Sequence, residues 1–326
     1  MTTPPNVRPR KEGGLVVPTE PSVSHEIGSL EEQYQRCVQT LIKTGIISPL
    51  PETGKMGVTG IDGQEYPVPT LEQAKELFDR NRELIARKSA QGFTRLQLTP
   101  FAMPLTILAD RVRSVILRHY QEEKIFQAKR HPSDPEVPID VSPNWTITTS
   151  DSGMLRGADA GEFVYFTKRY SKRQYYGLRK SELIRKPDIC PIPGWSIELI
   201  EDFSILPQEG EGQTIGGRKQ LETNHAPYDY LINTFRKAQY TQYIGETRWT
   251  PEDAFVDFVS RLEETNQVSY DLNDGSGLLL LGAFDIIEHS VPYVWWNRFL
   301  KGLHLDACPA SIQSLSLGTR SAVRLV

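Results

Sequence analysis

Cysteine is scarce in this chain, long apolar runs are missing and neither sign of charge prevails. Each absence excludes a class of protein. The three thiols in 326 residues, Cys37, Cys190 and Cys308, form an odd and widely spaced set. Without C-x-x-C spacing they encode neither a disulfide framework nor a zinc or dithiol redox site, and a reducing, cytoplasmic setting is expected. The longest apolar run, Leu278 to Leu281, is far too short to span a bilayer, and Met1 to Leu15 carries Arg8, Arg10, Lys11 and Glu12 where a secretory leader has an apolar core. Neither secretion nor membrane insertion is expected, which leaves the Asn144-Trp145-Thr146 sequon without meaning. Lys and Arg number 37 against 41 Asp and Glu, a net charge of −4. That balance excludes a polycation that holds nucleic acid by phosphate neutralisation alone, so any such role is local. At this length about two domains are expected.

What is present divides the chain at its prolines. Residues 1–25 scatter Pro4, Pro5, Pro9, Pro18 and Pro21 among small polar residues and read as a flexible tail. Residues 26–128 read as a mostly helical domain. Ser29 and Glu32 stand in capping-box spacing ahead of a stripe of Tyr34, Cys37, Val38, Leu41 and Ile42, with Gly45 as the stop. Asp62-Gly63 marks a turn between strands near Val58 and at Tyr66 to Val68. Thr70 and Gln73 cap a second helix whose apolar face runs from Leu71 to Ile85. Pro104 opens a third, with Leu105, Leu108, Val112, Val115, Ile116 and His119 on one stripe. His119, on a buried stripe, reads as a structural histidine. Pro132, Pro135, Pro138 and Pro143 make residues 129–143 an extended linker.

Over residues 144–326 the periodicity turns to strands, at Trp145 to Thr149, Glu162 to Thr167 and Trp195 to Ile200. A helix is expected over Pro227 to Lys237. A second is announced by Thr250-Pro251-Glu252-Asp253, with Ala254, Phe255, Phe258, Val259 and Leu262 as its stripe. Strands follow at Gly277 to Phe284, Pro292 to Arg298, Leu303 to Leu305 and Ser321 to Leu325. The fold class is α+β, a helical N-terminal module followed by a mixed module of short antiparallel strands.

Several motifs invite chemistry and fall short of it. Gly212 to Lys219 resembles a phosphate loop, but Arg218 stands where the lysine belongs and no hydroxyl follows it, so it reads as a turn. Asp271, Asn273 and Asp274 before Gly275 lack the acid spacing of a calcium loop. His225, His289 and His304 are isolated, and no metal or cofactor is implied. The segment Lys168 to Lys180 alternates cations with aromatics. Lys168, Arg169, Tyr170, Lys172, Arg173, Tyr175 and Tyr176 are therefore candidates for single-stranded nucleic-acid binding, against the alternative of a solvated strand edge.

The ending is more telling. Pro292-Tyr293-Val294-Trp295-Trp296-Asn297-Arg298, a variable stretch, and Gly318-Thr319-Arg320-Ser321-Ala322-Val323-Arg324-Leu325 resemble the close of C-type-lectin-like domains related to formylglycine-generating enzymes. Within that family the segment is most similar to the variable proteins of diversity-generating retroelements. The resemblance covers about residues 190–326. It implies a fold whose last strands display a hypervariable binding surface, with Tyr293, Phe299, Leu300, His304, Ala307 and Cys308 as displayed positions. Trp296, Arg298, Leu305, Asp306, Gly318, Arg320 and Arg324 would be frame, with Trp296 and Val323 as core anchors. The enzymatic branch uses a cysteine pair, and here Cys308 stands alone with Cys190 distant, so an oxidative enzyme is only an alternative. The leading expectation is a non-catalytic, cytoplasmic protein that binds a protein or other macromolecule without metal, nucleic acid being the alternative ligand.

Overall fold

The computed structural model describes residues 29–129, 133–142, 149–167, 177–202, 206, 213–221, 243–271, 277–310 and 316–326. The expected tail over 1–25, the strand from Trp145 up to residue 148 and the helix from Pro227 to Lys237 lie outside the described residues.

Local chemistry sets the first elements. Helix α1 (Leu30–Lys43) starts at its cap, where Ser29 Oγ accepts from the Glu32 N–H at 3.2 Å. A small antiparallel sheet of β1 (Ser48–Pro49), β2 (Met56–Thr59) and β3 (Glu65–Pro67) follows, with Gly63 at φ +73° in the connecting turn. The second helix is not continuous: α2 (Leu71–Arg80) and α3 (Arg82–Ser89) break at Asn81. The Asn81 amide donates to the Leu77 carbonyl at 2.8 Å and to the Val326 carbonyl at 2.9 Å, which ties the break to the chain's last residue. Strand β4 (Phe93–Thr99), which no pattern in the sequence announced, precedes α4 (Leu105–Gln121). On α4, His119 is buried between the Lys124 carbonyl and Glu263.

Beyond residue 143 come α5 (Thr149–Asp159), so that Thr149 is helical and not strand, then β5 (Phe163–Tyr165), α6 (Lys180–Leu183) and β6 (Ser196–Glu201). The glycine-rich stretch is a turn between β7 (Thr214–Ile215) and β8 (Arg218–Lys219). Then follow β9 (Thr247–Arg248), α7 (Pro251–Thr265), β10 (Gly277–Leu279), β11 (Ala283–Asp285), β12 (Ser290–Asn297), β13 (Gly302–Pro309), β14 (Leu317–Thr319) and β15 (Ser321–Arg324). The fold is mixed α+β, with seven helices among the described residues. None of them is long and apolar enough to cross a membrane.

The expected boundary at 129–143 does not separate independent cores. Strand β4 forms the edge of a sheet ordered β4-β6-β15-β9, pairing with β6 antiparallel from Phe93↔Glu201 to Thr99↔Ser196. One buried cluster extends from Tyr34 through Leu98, Trp195 and Phe258 to Leu325. The supposed linker is pinned to this body by the Gln127 N–H on the Val137 carbonyl and the Ile139 N–H on the Ile125 carbonyl. A sheet with a strand from each half cannot be assembled by either half alone.

All of β6 is buried, including its polar side chains Ser196, Glu198 and Glu201. Buried charges must be paired to be tolerated, and here they are. Arg324 Nε donates to Glu198 at 2.8 Å and to Ser196 at 3.1 Å, and Lys180 Nζ lies 2.6 Å from Glu252. Arg218 bridges Glu201 at 2.6 Å and Glu246 at 2.7 and 2.8 Å, with Lys88 joining Glu246 at 2.7 Å. Asp257 accepts from Arg261 at 2.8 Å and from the Tyr270 hydroxyl at 2.5 Å. These pairs lock α7, β6, β8 and β15 into one frame.

Candidate functional site

The second large sheet runs β14-β10-β12-β11-β5, with β13 paired to β12 along its whole length. Val291, Val294, Trp295 and Trp296 are strong strand formers, which accounts for the length of β12. The register from Ser290↔Pro309 to Asn297↔Gly302 leaves four residues, Arg298 to Lys301, as the turn.

Period-two geometry sorts the side chains. On the inner face Trp296 stacks on Phe258 of α7, ring centroids 6.3 Å apart and 8° from parallel, and Leu303 and Leu305 are buried beside it. On the other, outer face Tyr293 sits opposite Asp306, Trp295 opposite His304 and Val291 opposite Cys308, and Val291, Tyr293 and Cys308 pack with Leu279, Leu281 and Phe284 in a second apolar cluster. The Tyr293 hydroxyl donates to Asp306 Oδ2 at 3.1 Å, and the Trp295 and His304 rings lie 5.7 Å apart.

The turn is held on all sides. Asn297 Oδ1 accepts from the Phe299 and Leu300 N–H groups at 2.9 and 2.8 Å. Arg298 Nε donates to Asp271 at 2.6 Å, Lys301 pairs with Asp140, and the Ser142 N–H donates to the Lys301 carbonyl at 3.2 Å. Lys301 takes a left-handed backbone at φ +58° to close the turn. Its bond to Asp140 raises the Lys301 pKa and lowers that of Asp140. The two remaining turn side chains point out: Phe299 is 89% exposed and Leu300 42%.

Among the six expected display positions, the structure therefore places Phe299 and Leu300 at the tip and brings Tyr293, His304 and Cys308 onto one outer face. Ala307 pairs with Pro292 in the register of Trp296 and is partly exposed, and Asp306, expected in the frame, lies opposite Tyr293. His304 lies on the right face but is only 3% exposed, packed against Trp295, so it is covered. A one-residue ambiguity in register is invisible to composition, and it exchanges the faces of neighbouring residues.

Comparison with protein-family models, with curated proteins and with solved structures returned no match.

The other candidates are placed more briefly. Lys168, Arg169, Tyr170, Lys172, Arg173, Tyr175 and Tyr176 lie outside the described residues, as do His225 and Asn273 to Gly275. Lys180, which closes that basic segment, is buried on Glu252 and is not available to a phosphate. Asp271 is 1% exposed and bound to Arg298. Among the described residues no cluster of histidine, cysteine and carboxylate side chains has metal-site geometry. Arg320 and Arg324 are both buried, 1% and 7% exposed, and Trp296 and Val323 are core. The charge network that joins them to Glu198, Asp253 and Asp257 was missed, because Glu252 and Asp253 at a helix start read as ordinary partners of the helix dipole. Burial, with the Glu198 carboxylate adding to it, pushes the Asp253 carboxyl up to about 7, against the pull of Arg324.

Proposed function

We propose that the chain is a non-catalytic ligand-binding protein of C-type-lectin-like type, whose β12–β13 hairpin contacts a protein or other macromolecular ligand. The tip carries this reading: Phe299 is 89% exposed beside Leu300 on a turn whose every other side chain is tied down. Apolar side chains that add nothing to the core, held in a fixed pose, are suited to anchor an interface, where aromatic residues contribute most. Asp306 is partly exposed beside the strands, while Tyr293 and Cys308 are partly buried against a second apolar cluster that includes Val291, Leu279 and Phe284.

The likeness of the ending to the variable proteins of diversity-generating retroelements supports a finer proposal. Phe299, Leu300, Tyr293, Asp306 and Cys308 form the varied set, and Trp296, Leu305, Arg320 and Arg324 form the frame. Sequencing the DNA beyond the 3′ end of the gene tests it. The expected finding is a near-copy of the codons for Pro292 to Val326 that differs where the copy has adenine, beside a reverse-transcriptase frame. A flank with neither overturns diversification and reduces the reading to an invariant contact surface.

A further inference from the structure

A cleft lies apart from the hairpin, and none of the hairpin residues lines it. Where α1, the bulged start of β4 and the end of α7 meet, a cleft of about 360 Å³ opens. Its size falls in the range of small-molecule sites, but such sites are mostly apolar. Here Val268 is the one aliphatic residue of the lining; the others are charged groups, hydroxyls and amides. An apolar ligand has nothing to hold there.

The charges are unevenly committed. Arg95 is bidentate to Glu264 at 2.6 and 3.0 Å, and Arg261 is bound through Nε to Asp257. Asp202 reaches both arginines only at 3.7 and 3.8 Å, beyond hydrogen-bond distance, and its side chain is 63% exposed. Arg36, exposed at the rim, has no ion-pair or hydrogen-bond partner among the described residues. On the lining Ser269 is 2% exposed, and its hydroxyl likewise has no hydrogen-bond partner among the described residues. A hydroxyl that opens onto a cleft and holds no protein partner is one that a ligand can engage.

We propose that this cleft binds a small hydroxylated anion, a phosphate or carboxylate on a sugar-sized body. Arg36 and the free edges of Arg95 and Arg261 take the anionic oxygens, displacing Asp202 from its long contacts. Ser269 bonds a ligand hydroxyl. Arg95 and Arg261 are held by Glu264 and Asp257, so Arg36 is the guanidinium of the lining without a carboxylate of its own and the first handle for such an anion.

Calorimetric titration of the full chain with ribose 5-phosphate, gluconate and inorganic phosphate tests this. Saturable one-site binding of ribose 5-phosphate, of gluconate or of both is expected, and which of them binds tells phosphate from carboxylate. Inorganic phosphate alone should bind more weakly. Arg36→Gln, at a rim residue without structural partners, should weaken binding about tenfold, the worth of a charged hydrogen bond. Ser269→Ala should weaken it less, and Asp202→Asn should strengthen it by removing the competing carboxylate. No saturable binding of either hydroxylated anion, or equal binding by wild type and Arg36→Gln, overturns the proposal. Inorganic phosphate binding as tightly as ribose 5-phosphate overturns the role given to Ser269.

Discussion

Asp253 is a carboxylate kept from water, and its titration is written into the stability of the fold. Its Oδ2 accepts from the Thr250 N–H and hydroxyl at 2.9 and 2.8 Å, while burial and Glu198 hold the proton on to about pH 7. A carboxyl whose folded pKa lies above its unfolded value binds the extra proton in the folded state. Its contribution is complete below about pH 4 and is lost as pH rises toward about 7. Glu201, raised by burial, acts in the same sense; His119, lowered by burial, acts in the opposite one. Asp253→Asn keeps the cap oxygen and removes the titration. The variant's stability relative to wild type, from urea unfolding across pH 4 to 8, should therefore rise through that window and then level. A flat difference would refute the assignment. At the tip, Asn297→Ala should cost about 1 kcal/mol, the worth of a side-chain cap on turn N–H groups, measured by chemical unfolding.

At the scale of elements the buried pairs matter more than any one strand. Removing one member of the Arg218, Glu246 and Lys88 set leaves a charge of 0% exposure without its counterion. Glu246→Ala should cost about 3–5 kcal/mol, read from the urea midpoint. Some of this architecture was legible in the sequence and some was not. The starts of α1, α2 and α7 were legible because Ser29, Thr70 and Thr250 satisfy helix N–H groups three residues on, which is local chemistry. Strand β4 was not, since its bulge between Phe93 and Arg95 breaks the period of two and its partner lies a hundred residues away. The tip was legible as apolar residues in an irregular stretch. Which face Asp306 and Ala307 each take was not, because the four-residue turn fixes register and nothing in the composition reports it.

At the scale of the molecule, the two halves share a sheet and a buried core, and they should unfold together. A fragment spanning residues 144–326 loses β4 from the edge of β6 and the α1 and α4 side chains from the shared core. It should lack dispersed amide resonances when expressed alone, whereas an independently folded fragment would restore the two-domain division. The same frame is what the β12–β13 hairpin, proposed as the binding surface, stands on, and the most direct test compares the two. In thermal and urea unfolding of the full chain, the double variant Phe299→Ala/Leu300→Ala should match wild type within about 0.5 kcal/mol, as exposed positions do. Trp296→Ala, on the opposite face of the same hairpin, should lose about 3–5 kcal/mol. That contrast is what a surface displayed on a fixed frame requires; comparable losses in both variants would mean that the tip belongs to the core and would contradict the account.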